Sequence, residues 1–84
     1  MSRTQKVNCG VNDLGQATAL VCSGFEVIDL APNPDSERVT FYFRQSQKIN
    51  ETAQLYWSGK LSVDAKQYWQ EMKNLKTRLY GLKK

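Results

Sequence analysis

The sequence predicts an α+β domain of order (β)αββαα, a small antiparallel sheet with helices packed on one of its faces. Apolar residues recur at helical spacing over Leu14 to Val21 and again over Ala65 to Leu79. Between them, Phe25 to Leu30 and Arg38 to Arg44 are rich in aromatic and β-branched residues and flank a run dense in turn formers. The 84 residues hold no internal repeat, no low-complexity tract and no linker. One domain over 1–84 is therefore expected, with 1–11 an N-terminal arm or edge strand, 12–81 the core and 82–84 a frayed basic tail.

In the arm, Val7 and Cys9 alternate with polar neighbours, as an edge strand over Lys6 to Cys9 would. Asn12 is the expected cap of a first helix from Asp13 to Ser23, with Asp13 favourably placed against the helix dipole and Gly24 suited to the left-handed position that ends it. The two strands form an antiparallel hairpin around Ala31-Pro32-Asn33-Pro34-Asp35-Ser36-Glu37. Alternation puts Phe25, Val27, Val39, Phe41 and Phe43 on the core face and Ile28, Thr40, Tyr42 and Arg44 on the other. Ser46 caps a second helix in which Ile49, Ala53 and Tyr56 share a side with Trp57 at its margin, and Gly59 ends it. After a connector from Lys60 to Val63, Asp64 caps a third helix whose Ala65, Tyr68, Met72, Leu75 and Leu79 form an apolar stripe.

At 40% hydrophobic and 24% charged residues the chain is globular rather than disordered. It has no histidine and only two cysteines, which removes the usual general base and any four-ligand zinc site. No metal, no cofactor and no catalytic residue is implied. Ser46 and Cys22 lack an evident base, and Glu26, Asp29, Asp35 and Glu37 cluster around the hairpin and its turn, where carboxylates are solvated loop ends. The glycines are isolated, so there is no phosphate-cradling loop. An enzyme is not expected.

No segment approaches the ~18 consecutive apolar residues of a membrane span, and the opening Met-Ser-Arg-Thr-Gln-Lys has no apolar run behind it, so a cytoplasmic protein without membrane contact is expected. In that compartment Cys9 and Cys22 are expected as free structural thiols. A core this small invites a partner, so a homodimer or higher homo-oligomer is expected.

Net charge is +4, and from Lys60 onward seven basic residues face Asp64 and Glu71, leaving the rest of the chain close to neutral. A localised basic end suits an anionic partner such as nucleic acid, a nucleotide or an acidic protein face; the alternative is a solubilising helix face. On the third helix, Trp69, Lys73, Lys76 and Tyr80 follow one another along one side, with Lys66 at its outer edge. Aromatic rings there can stack on a base while ammonium groups meet phosphate. Alternatively, Trp69 and Tyr80 widen the core stripe beneath the lysine stems, a reading favoured by Met72 and Leu75, which mark this as a packing helix. The outer sheet face, with Ile28, Tyr42 and Arg44, is the second candidate surface, open either to ligand or to a second copy of the chain. The candidate ligand-binding residues are therefore Tyr42, Arg44, Trp69, Lys73, Lys76 and Tyr80.

The residues also carry a resemblance. Asp13-Leu14 with Ala17, Gly24-Phe25-Glu26-Val27, Arg38-Val39 with Phe41 and Phe43, Tyr56-Trp57 with Gly59, Leu61 and Val63-Asp64, and Lys73, Leu75-Lys76 and Arg78-Leu79-Tyr80 resemble a small uncharacterised domain family of bacteria and their phages. The likeness covers about Asn12 to Gly81; the arm before Asn12 and the Pro-rich turn depart from it. It implies a bacterial or phage setting and assigns no catalytic site. A small phage-like protein without catalytic equipment is expected to act by stoichiometric binding, either sequestering a nucleotide signal or holding nucleic acid. The alternative is an inhibitor that docks on an acidic host defence protein.

Overall fold

The computed structural model describes residues 8–32 and 39–82, which form β1 (Asn8–Val11), α1 (Leu14–Cys22), β2 (Val27–Pro32), β3 (Val39–Arg44), α2 (Gln47–Trp57) and α3 (Ala65–Leu82). This is the α+β order read from the sequence. The sheet runs β1-β3-β2, with both outer strands antiparallel to β3. The edge strand falls on Asn8–Val11; Lys6 and Val7, Asn33 to Arg38 and the last two lysines lie outside the described residues.

β3 is central because its alternation is the strictest: Val39, Phe41 and Phe43 are buried and Thr40, Tyr42 and Arg44 are less so. Opposite it, Val27 pairs with Phe43 but Asp29 pairs with Tyr42, so Ile28 is an extra residue in a β-bulge. The bulge resets the alternation and turns Leu30, opposite Phe41, back toward the core. Two expectations change in β2: Phe25 lies ahead of the strand rather than in it, and Ala31 and Pro32, expected in the turn, pair with Thr40 and Val39.

The apolar sides of the sheet and of all three helices meet in one cluster: Val11, Val27, Phe41 and Phe43 from the sheet, Ala17 and Leu20 from α1, Ile49 from α2 and Leu75 from α3. α1 packs against both other helices. Its cap is Asp13 rather than Asn12: the Asp13 carboxylate accepts from Gln16 N–H at 3.0 Å, while Asn12 accepts the Thr40 hydroxyl at 2.7 Å and so ties the start of α1 to β3. Adjacent Asn and Asp are equally able caps, and this tie decides between them. Past the end of α1, Gly24 at φ +103° lets its own N–H reach Val21 O and the Phe25 N–H reach Leu20 O, which folds Phe25 onto the core. Gly59 at φ +77° ends α2 in the same way. Ser46 and Asp64 cap α2 and the start of α3 as the sequence predicts, accepting from Ile49 N–H at 3.1 Å and Gln67 N–H at 2.8 Å.

Candidate functional site

The third helix is one-sided. Leu75 is its buried anchor, and Tyr68, Met72 and Leu79, all half-buried, lie within about 60° of it at 100° per residue. Lys76, Trp69, Tyr80 and Lys73 follow at about 100° to 160°, with Lys66 beyond them. All five are exposed, Trp69 at 60% and Tyr80 at 67% of their surface. The reading in which these rings widen the core stripe is thereby overturned. The stripe is already filled by Tyr68, Met72, Leu75 and Leu79, and the rings lie one step too far round the helix to join it. Ala65, expected on the stripe, is exposed as well.

The charges on α3 divide by face. The acidic Glu71 and the basic Arg78 lie on the opposite flank, where with Phe25 and Val27 they help line a recess of about 320 Å³. The arc holding Trp69 and Tyr80 carries lysines and no carboxylate.

Tyr42 and Arg44 stand on the sheet face turned away from the helices, so they do not form one site with the strip on α3. Arg44 is exposed. Tyr42 is half-buried because its ring lies over Gly10 of β1: a Cβ placed on that glycine would sit 3.2 Å from Tyr42 Cε1. Ile28 on the bulge is 44% exposed, and the Asp29 carboxylate, opposite Tyr42, accepts from its neighbour Leu30 N–H at 2.9 Å. A carboxylate beside Tyr42 makes this face less suited to an anion than α3.

A further constellation joins residues distant in sequence. The Tyr56 hydroxyl donates to the Asp13 carboxylate at 3.1 Å, and the Tyr68 hydroxyl donates to Gly15 O at 3.2 Å. Both phenols converge on the first turn of α1, and a recess of about 420 Å³ lined by Tyr56, Tyr68, Leu61 and Val63 opens beside them. Burial raises the Tyr56 pKa, with the hydrogen bond to Asp13 and the Asp13 charge adding to it; burial, then the Asp13 charge and Cys22, do the same for Tyr68. Trp57, placed at the margin of the buried side of α2, is instead 65% exposed and meets Tyr56 edge-on at 5.0 Å.

The family described as "Domain of unknown function (DUF5659)" matches residues 6–81. The chain belongs to that family. No curated protein and no solved structure matches it. The DUF5659 match begins ahead of β1 and runs through the hairpin turn, so it takes in the turn and the arm from residue 6 onward, which the likeness read from the sequence set apart. Within this DUF5659 domain both cysteines are free thiols, Cys9 on β1 and Cys22 at the end of α1. Burial raises both pKa values, with the Glu71 and Asp64 charges contributing at Cys22, so neither is activated as a nucleophile. Among the described residues no group of His, Cys, Asp and Glu could hold a metal ion, and no helix is long and apolar enough to cross a membrane.

Proposed function

We propose that this domain is a non-enzymatic binding protein of a bacterium or its phage that takes up a phosphate-bearing ligand on the Trp69, Lys73, Lys76 and Tyr80 strip of α3. One observation carries the reading: two large aromatic rings remain mostly exposed on a helix face whose only charged groups are lysines. Rings interleaved with ammonium groups supply stacking and phosphate neutralisation together. In the host cytoplasm such a protein acts by occupancy, holding a nucleotide signal or a nucleic acid away from its target and so serving host-defence evasion.

The test is a thermal-shift and absorbance screen of the pure protein against mono-, cyclic and oligonucleotides, with Tyr42→Ala, Arg44→Ala and Trp69→Ala beside it. A ligand at a hundredfold excess over its Kd adds about 2.7 kcal/mol to stability, a shift too large to miss. Trp69→Ala is expected to cut the shift to about half or less and the two sheet variants to keep it. If no nucleotide or nucleic acid stabilises the protein while a bacterial lysate yields one acidic protein bound to it, the reading is wrong and an inhibitor of that protein takes its place.

A further inference from the structure

We infer that the phosphate-bearing ligand is single-stranded nucleic acid laid along α3 over roughly six nucleotides, and not a sequestered mononucleotide. This rests on the proposal that the strip binds phosphate-bearing ligands at all, and it narrows that proposal by geometry. Trp69 and Tyr80 stand on one side of the same helix, eleven residues apart. At 1.5 Å per residue that separates them by about 16 Å. A single base cannot lie against both rings, whereas a strand rising about 3.4 Å per stacked nucleotide reaches from one to the other in about five steps. Lys73 and Lys76 occupy the interval, where the phosphates between the two stacked bases would run.

The shape of the surface agrees. Sequestering a small nucleotide takes a concave site that buries most of the ligand. The strip is convex helix surface with both rings more than half exposed, and three recesses among the described residues, beside α1, α2 and α3, are lined by other side chains. Stacking on open aromatic rings also requires bases whose faces are free, which a duplex withholds and a single strand offers. Charge complementarity is of the kind a polyanion exploits: lysines spread along the helix axis, with Glu71 on the far flank.

The experiment is fluorescence anisotropy of labelled oligothymidylates from the dinucleotide to the decanucleotide, with AMP and a labelled duplex as comparisons, on the full chain and on Trp69→Ala and Tyr80→Ala. Both rings are exposed, so both variants are expected to keep the parent melting temperature, which circular dichroism checks. Affinity should climb with length to about six nucleotides and then level off, and each variant should weaken decanucleotide binding by about ten- to a hundredfold. AMP competing as well as the decanucleotide, the duplex binding more tightly than the single strand, or Tyr80→Ala leaving binding unchanged would each overturn this inference while leaving phosphate-ligand binding standing. Failure of every nucleotide and oligonucleotide to bind would overturn both.

Discussion

Gly15→Ala reverses the usual sign of a helix substitution. Alanine in place of glycine within a helix gains up to about 1 kcal/mol from backbone entropy alone. At Gly15, however, the new Cβ would lie 2.8 Å from the Tyr56 hydroxyl and 3.3 Å from that of Tyr68. The phenols are the ends of side chains and can swing aside, but in doing so they leave Asp13 and Gly15 O, and each hydrogen bond lost costs about 1 kcal/mol. The loss of about 2 kcal/mol outweighs the gain, leaving a net destabilisation of about 1 kcal/mol, or a fall in Tm of roughly 4–8 °C for a domain of this size. Gly81, also helical, meets nothing within 4 Å, so Gly81→Ala is the control and should be neutral or stabilising. In a Tyr56→Phe, Tyr68→Phe background the obstructing oxygens are gone, and Gly15→Ala should become stabilising. Urea unfolding of this cycle measures the coupling directly. Should Gly15→Ala stabilise the parent chain as it does the double-Phe chain, the tyrosine contacts hold nothing together and the reasoning fails.

Leu75→Ala, at a side chain 3% exposed, should cost about 2–5 kcal/mol, a large share of the stability of so small a domain, and a loss under 1 kcal/mol in urea unfolding would mean α3 is not anchored there. Both tyrosine pKa values are raised by folding, so their contribution is full below about pH 10 and is lost as pH rises through the folded-state values. Stability should thus fall on the alkaline side more steeply for the parent than for Tyr56→Phe, Tyr68→Phe, and parallel profiles would refute the burial of these phenols. The outer sheet face, with Ile28, Asp29 and Arg44 all exposed, should self-associate as a dimer; sedimentation of a stable monomer at micromolar concentration would end that idea.

Local chemistry was legible wherever one residue type has one use. Ser46, Asp64, Gly24 and Gly59 mark their helix ends in the sequence and act there in the structure. What escaped depends on contacts far along the chain. The Ile28 bulge is invisible to alternation, because Phe25 and Val27 fit a regular strand as well as a shifted one. Helical periodicity places Trp69 and Tyr80 beside the apolar stripe, but only the width of the groove that α3 occupies decides whether they are covered. The tyrosine pair on α1 spans 43 and 53 residues, and its one sequence trace is a glycine inside a helix, where a packing reason is the usual cause.

The central claim, that the α3 strip binds phosphate, is tested most directly by titrating a labelled single-stranded decanucleotide into the parent chain and into Lys73→Glu, Lys76→Glu over a range of salt concentrations. Both lysines are exposed, so the fold should survive the change, as the melting temperature will show. For the parent, the affinity should fall steeply with added salt; the variant should bind far more weakly, with a log–log salt slope shallower by roughly 1.4, the share of two phosphate contacts on a single strand. Binding that survives the double charge reversal with its salt slope intact would contradict the account.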